Sequence, residues 1–367
     1  MRRPPPGAPG STTIEVRVAT DVFVLGAGFS HAVSELMPLT DPLGESLRNA
    51  LVGGGWEHWL PKSRFAGGYF EQWLSRLAED QPDYDDATNA SNRGLFETIS
   101  SVIHISLSRC QKETLGSGPC PPWLTTLVAE FHRRKNTVIT FNYDNLIEYA
   151  VLGSELMDHH PPKGERVRPH DILGDLPPPP PHPSRLAGPL TESFRLLKLH
   201  GSLNWYWSPG DLTGATLNTW NLAGGFGSWE QQDEDERRRR LPGRVPFIVP
   251  PTATKSAYYR NPVTKELWQR AASALQRPRR IVLMGYSLPL TDLVFTSILR
   301  ENLPPDLEGL GAARFCIVNL ETEPVKEVLF KLGYQPSNIE SEHEGPDCIK
   351  NFALSYPEDV PSPPPID

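Results

Sequence analysis

Cysteine is scarce in this chain: among 367 residues only Cys110, Cys120, Cys316 and Cys348 occur, and no two form a C-x-x-C pair. The spacing argues against a four-thiolate zinc site and favours buried free thiols in a reducing compartment. Long apolar runs are missing as well. No stretch approaches the roughly 20 residues of a bilayer span, and the opening MRRPPPGAPG has positive charge with no apolar segment after it. A soluble, cytoplasmic protein without a membrane partner is expected. Basic excess is the third absence: 36 Lys and Arg against 44 Asp and Glu give a formal net charge of −8. A phosphate-neutralising surface shows the opposite balance, so direct nucleic-acid binding is not expected.

What is present is an alternation of apolar strands with helical patterns. Hydrophobic residues make up 38% of the chain, enough for a core once proline-rich stretches are set aside. Residues 1–17 and 356–367, rich in proline and small polar residues, are expected to be disordered. Between them, 18–355 reads as one catalytic unit with three interruptions. A helical insertion covers about 43–134, where Tyr69–Leu77, Leu95–Ile105 and Trp123–Phe131 repeat apolar residues three and four apart. A proline-rich loop covers 157–188; its PPPPPHP opposes helix and central strand, and His159, His160 and His170 read as surface residues in preference to metal ligands. A charged insertion covers 210–241 and ends in DEDERRRR, whose acids stand four residues before arginines on a solvated helix face. The alternation resumes with a strand over Val245–Val249, a helix over Val263–Leu275 and a strand over Ile281–Met284. A helix from Thr291, a strand over Phe315–Leu320 and a helix from Pro324 follow. Such alternation predicts parallel βαβ units and a doubly wound, Rossmann-like α/β sheet.

Four apolar runs end in small or polar residues: DVFVLGAGFS over Asp21–Ser30, TVITFNYDNLIE over 137–148, RLLKLHGS over Arg195–Ser202 and IVLMGYSL over Ile281–Leu288. In an open α/β sheet ligands bind outside the carboxyl ends of the strands, so these ends are the expected site. Gly26, Ala27, Gly28, Phe29 and Ser30 follow a strand and open a helix, whose backbone N–H groups can face an anion. Gly26 permits the turn, and Gly28 lets backbone approach a pyrophosphate. The third glycine of G-x-G-x-x-G is replaced by His31, and no ribose-gripping acid ends a second strand at the usual distance. Hydride transfer is therefore disfavoured. Gly285 and Ser287 offer a second glycine-plus-hydroxyl phosphate site, and Asn319 with Glu321 can bond ribose hydroxyls. Two phosphate cradles and a ribose clamp fit a dinucleotide. Structural readings stand beside these: Asn142 and Asp144 suit helix caps, and Thr40 and Asp41, shortly after the glycine loop, either line the ligand crevice or, for Asp41, cap a helix. Trp205 and Trp207 read as core or subunit-interface residues.

In this order GAGFS, TFNYDNLIE, KLHGSLNW, IVPP at Ile248–Pro251, GYSLP and VNLE at Val318–Glu321 resemble the motifs of sirtuins. They are more similar still to the sirtuin-like NAD hydrolases of bacterial antiphage defence, as in the effector of the Thoeris system. The resemblance covers about Val18 to Phe330 and is carried by the ordered set. It implies a sirtuin-type fold with NAD⁺ as substrate. Asn142 corresponds to the asparagine of T-Q-N-I-D, which orients the nicotinamide ribose and water; Asp144 corresponds to its aspartate and His200 to the base. Gly26, Ala27, Gly28 and Ser30 correspond to the pyrophosphate loop, Gly285 and Ser287 to the G-[TS]-S segment, and Asn319 with Glu321 to the adenosine-ribose contacts. Phe141 replaces the motif glutamine, and the zinc cysteines of the deacylases are missing, so no metal is expected.

Nicotinamide leaves NAD⁺ as a neutral pyridine, so the paired carboxylates of sugar hydrolases are not required. A neutral amide can hold ribose and water, and a base of near-neutral pKa can take the proton; Asn142 and His200 supply these groups. The expected function is an NAD⁺ glycohydrolase that releases nicotinamide and ADP-ribose, an NAD-depleting effector of antiphage defence. A homo-oligomer is expected, with a possible partner protein from a defence operon. An NAD-dependent protein deacylase and a non-catalytic module sensing NAD or ADP-ribose are the competing expectations.

Overall fold

Two apolar strands with no exposed position, β1 (Val22–Leu25) and β7 (Ile281–Met284), lie side by side at the centre of the molecule. The computed structural model describes residues 19–55, 57–157, 164–178, 191–228, 234–253, 255–289, 292–305 and 312–358. The expectations for 1–17, for His159 and His160, for half of the proline-rich loop and for most of the tail fall outside those residues. On one flank of the central pair come β2 (Thr137–Thr140) and β3 (Arg195–Lys198); on the other, β8 (Phe315–Asn319) and β9 (Ile339–Glu344). Every pairing is parallel and the spatial order is β3-β2-β1-β7-β8-β9. Burial on both faces explains why the central strands read as continuous apolar runs instead of alternating ones. The fold class is thus the doubly wound, Rossmann-like α/β arrangement, with the order of strands reversing between β1 and β7.

Helix α1 (Ala27–Val33) follows β1 directly. Helix α5 (Pro122–Arg134) packs on α6 (Leu146–Gly153) and α13 (Cys348–Ser355), and α10 (Pro262–Ala274) packs on α11 (Leu293–Asn302). Right-handed crossovers on either side of a reversal place these two groups on opposite faces. Helix α7 (Pro169–Leu173) packs on β3 and α6, α9 (Ser256–Tyr259) packs on α10, and α12 (Glu323–Lys331) buries Val325 and Leu329 in the main core.

Helices α2 (Thr40–Gly53), α3 (Tyr69–Ala78) and α4 (Asp86–Gly116) bury a separate cluster that includes Leu47, Phe70, Leu74, Ile99 and Ile103. In α4 the buried positions Leu95, Ile99, Ile103, Leu107 and Gln111 recur every four residues and form one stripe. Leu203 and Ile248 join that cluster from a second, three-stranded sheet in the order β5-β4-β6. In contrast, α5, within the span read as insertion, places Leu124, Leu127, Val128 and Phe131 in the core of the main sheet.

Several expectations change here. Val245–Val249 was expected to be part of the parallel alternation; β6 (Val245–Ile248) instead pairs antiparallel with β4 (Gly201–Trp207), which also pairs antiparallel with β5 (Asn218–Thr219). The apolar run at 195–207 is therefore two strands. They part at Gly201, whose φ of +87° and whose approach to Phe247, where a Cβ would lie 2.2 Å from the carbonyl oxygen, admit only glycine. Strand β9 and helix α13 were not foreseen, because IESEHE alternates intermediate with exposed positions at a sheet edge. The disordered tail was placed from 356, yet Tyr356 is 1% exposed. Its ring packs 5.3 Å from that of Phe23 and its hydroxyl donates to Asp21 at 3.0 Å, so the core reaches past the proposed boundary. In the charged segment, α8 (Glu234–Arg240) carries the Glu236–Arg240 pair at 2.7 Å with both partners exposed, as the i, i+4 spacing predicts.

Candidate functional site

The reversal between β1 and β7 opens at Gly26 and Gly285, and the backbones there touch. Gly28 N–H donates to the Gly285 carbonyl at 2.9 Å. A Cβ on Gly28 would lie 2.9 Å from Gly285 Cα, and one on Gly285, which sits at φ +58°, would lie 2.2 Å from Phe29 N. The glycines thus serve the contact between two loops, and the Gly28 N–H expected to face a phosphate already has an acceptor. Phe29 N–H donates to the Gly26 carbonyl at 2.9 Å, and the Phe29 ring is buried in the core. Leu288, in the same GYSLP segment, adopts φ +51°, an uncommon conformation for a γ-branched residue.

The polar residues beyond β2 close over α1. Asn142, half-buried, donates from Nδ2 to the Gly26 carbonyl at 2.7 Å and to Ser30 Oγ at 2.8 Å. Ser30 Oγ in turn donates to Asp144 Oδ2 at 2.6 Å. Three predicted site residues, far apart in the chain, therefore form one hydrogen-bonded row. Asp144 also accepts Leu146 N–H at 3.2 Å, a local turn ahead of α6, whose N-cap is Asn145 without a side-chain cap bond; neither Asn142 nor Asp144 is the helix cap that the sequence suggested. Burial pushes the Asp144 carboxyl above its ordinary range, against the pull of Lys198 and the Ser30 hydroxyl.

Beneath this row lies a buried ion pair that sequence reasoning missed. Lys198 and Glu148, each 1% exposed, meet at 2.9 Å. Lys198 Nζ donates as well to the carbonyls of Tyr143 and Asp144, and Asn145 Nδ2 donates to Glu148, Ser202 and Asn204. The backbone that presents Asn142 and Asp144 is therefore fixed from below. The signal was available: Lys198 is the one charge inside LLKLHG and Glu148 the one charge inside LIEYAVLG, and such charges are buried only when paired.

His200 occupies a different environment. Thr140 pairs with Lys198, so Asn142 and His200 each stand two residues beyond the same rung of neighbouring strands. Yet His200 is 5% exposed and its ring packs against Phe141 at 4.8 Å and Trp268 at 6.4 Å. Phe141 itself stacks on Tyr286 at 4.8 Å and meets Phe295 at 5.2 Å, which accounts for an aromatic where the motif has glutamine. His200 Nε2 has no hydrogen-bond partner among the described residues and lies 3.9 Å from Asp292 Oδ1. Asp292 accepts from Lys255 Nζ and, at 2.8 Å, from the Tyr286 hydroxyl. Lys255 and Asp292, both buried, were also missed; they lie in loops whose spacing carries no periodic signal.

Burial first, and then the Lys255 charge, push the His200 imidazole from 6.5 down to about 3, against the attraction of Asp292, so the base of near-neutral pKa expected here is not what the enclosed ring provides. Burial works to raise the Asp292 carboxyl, but positive charge on the His200 and Lys255 side and the Tyr286 hydroxyl hold it below its ordinary range. With His200 neutral, Lys255 and the two hydrogen bonds supply that pull at neutral pH. The sign for stability follows. Between pH 3 and 6.5 the unfolded chain protonates His200 and the folded chain does not, so stability falls as pH drops through that window. His200→Gln is expected to be less acid-sensitive than wild type, the difference reaching about 2 kcal/mol at pH 5 by urea unfolding. Equal pH dependence of both proteins would show that His200 is solvated and not enclosed.

The remaining predicted residues spread around the crevice. Asn319 Nδ2 donates to the Tyr286 carbonyl at 3.1 Å, tying the end of β8 to the turn after β7. Glu321 and Ser287 are exposed. Asp41 sits in the first turn of α2 and accepts Gly68 N–H at 2.9 Å, while its Oδ1 is buried without a hydrogen-bond partner. Trp205 is buried in the main core, and Trp207 packs against Phe247. Among the described residues no helix is long and apolar enough to cross a membrane.

No protein-family model and no curated protein sequence matches this chain. Among solved structures, one described as the structural basis for sirtuin substrate affinity is 14% identical, covering 93% of this chain and 92% of that one at a TM-score of 0.35. Sir2 bound to an acetylated peptide is 12% identical over 93% and 92%, with a TM-score of 0.37. A Sir2 mutant with a p53 peptide and NAD is 13% identical over 93% and 92%, also at 0.37.

Proposed function

We propose that this chain binds NAD⁺ at the carboxyl ends of β1, β2 and β7 and hydrolyses it to nicotinamide and ADP-ribose. The observation that carries the reading is the hydrogen-bonded row from Asn142 through Ser30 to Asp144, set beside the strand reversal where such folds take nucleotides. A neutral amide and a shielded carboxylate suit an oxocarbenium-like transition state that needs no acid for its leaving group. Gly26, Ala27, Gly28, Phe29, Ser30, Gly285 and Ser287 would lie along the pyrophosphate, with Asn319 and Glu321 toward a ribose. Asp41 belongs to the nicotinamide side in this reading. His200 enters as a neutral imidazole of lowered basicity whose lone pair accepts a hydrogen bond from water or a ribose hydroxyl. No metal has a part in it. The role in antiphage defence, a homo-oligomeric active form and a partner protein from the same operon belong to the proposal.

The burial of His200 favours one second reading, a module that senses NAD or ADP-ribose without turning it over. One experiment separates the two. Purified protein is incubated with NAD⁺ over a range of protein concentrations, with and without the neighbouring gene product, and followed by chromatography. Equal release of nicotinamide and ADP-ribose is expected. Saturable NAD⁺ binding by calorimetry with no product under any of these conditions would establish the sensor instead, and acyl-lysine-dependent O-acetyl-ADP-ribose would establish a deacylase.

A further inference from the structure

His200 is held among aromatic rings with an Nε2 that bonds to nothing described, and one carboxylate stands just beyond its reach. A gap of 3.9 Å between Nε2 and Asp292 Oδ1 exceeds a hydrogen bond by about 1 Å. The carboxylate is turned away by two donors, Lys255 Nζ on Oδ1 and the Tyr286 hydroxyl on Oδ2. Asp292 immediately precedes α11. The groups that face this cluster can be named. Lys255 and Asp292 are the charges; Tyr143, Tyr259 and Tyr286 are the other titratable groups, with Glu71 acting on Tyr143 and Tyr286; Phe141 and Trp268 close the apolar sides.

We propose that Asp292 is a positioning residue that takes up the Nε2 hydrogen of His200, and that Lys255 is the latch that holds it away. Closing the gap fixes the Nε2–H tautomer and leaves Nδ1 as the nitrogen with a free lone pair, as a buried carboxylate does for a histidine in hydrolytic triads. An orphaned buried nitrogen beside a buried carboxylate is a costly arrangement unless the two can meet. The role of Nδ1 as the base rests on the NAD-cleavage reading; the coupling of His200 to Asp292 does not.

The test separates the two. In wild type, Lys255→Met, Tyr286→Phe and Asp292→Asn, the His200 ring is titrated by NMR and, in parallel, the pH profile of NAD⁺ cleavage is recorded. Lys255→Met, and in smaller measure Tyr286→Phe, are expected to raise the His200 titration midpoint by about one pH unit or more. Asp292→Asn is expected to abolish that rise in the Lys255→Met background and to lower kcat while leaving KM within about twofold. In an active wild type the acid limb of the profile moves with the NMR midpoint. If no protein cleaves NAD⁺ but the NMR midpoints shift as stated, the coupling stands and the enzymatic reading fails. If wild type is active and neither Lys255→Met nor Tyr286→Phe moves the midpoint, the latch is wrong.

Discussion

Glu148→Ala is expected to destabilise the protein by about 3–5 kcal/mol, because it leaves the Lys198 ammonium buried without its counter-charge. The carbonyls of Tyr143 and Asp144 still accept from Lys198, but they carry only partial charge. Asn145 loses one of its acceptors as well and keeps Ser202 and Asn204. Replacing both partners by methionine is expected to recover most of that loss. What remains is the Asp144 carbonyl without its lysine, at about 1–3 kcal/mol. Yet the double variant also loses the clamp under Asn142 and Asp144, so turnover is expected to fall where stability returns. Urea unfolding of the two single variants and the double variant checks the first part. A single variant that costs under about 1 kcal/mol would mean that water reaches Lys198.

Asn142→Ala is expected to lower kcat for NAD⁺ cleavage by about 100-fold or more, the scale at which loss of a positioning group misaligns reacting atoms. The side chain is half-buried and its two acceptors, the Gly26 carbonyl and Ser30 Oγ, lie near the rim, so the fold should be retained. Ser30 then loses its donor and is free to rotate away from Asp144. Asn142→Asp is the sharper variant. It keeps the size but sets an acceptor against the Gly26 carbonyl, beside a second carboxylate, and is expected to be no more active than the alanine variant. Steady-state kinetics with thermal melts on the same samples check this. A variant within about threefold of wild-type kcat, with its melt unchanged, would remove Asn142 from the proposed chemistry.

Five strands of the parallel sheet were legible because they are largely buried on both faces, which the edge strand β9 is not. Four of its strands end in the small or polar residues that the site requires, and β8 ends in Asn319. Hydrogen bonding joins Gly26, Ser30, Asn142 and Asp144 as their positions at strand ends suggested. Less legible was whatever depends on pairing between distant loops. Lys255 and Asp292 are one lysine and one aspartate in proline-rich turns, and only the closed chain shows that they neutralise each other beside His200. β6 reads like any short apolar strand, and nothing in VPFI says which sheet it joins. The enclosure of His200 has a similar origin, since Phe141 and Trp268 reach its ring from the end of β2 and from α10, and Tyr286 and Phe295 back Phe141 from further along the chain.

Strand β9 bears on how copies of this chain can meet. It is the edge strand on one flank of the sheet, and its exposed positions Glu340, Glu342 and Glu344 are engaged within the chain: Glu340 with Arg280, Glu342 with Lys326 and Thr322, and Glu344 with Thr322. A second copy adding itself there would have to seat beside a charged row already committed to partners in its own chain, and charged side chains on an edge strand discourage such addition. Filament growth by backbone zippering is therefore disfavoured on that flank.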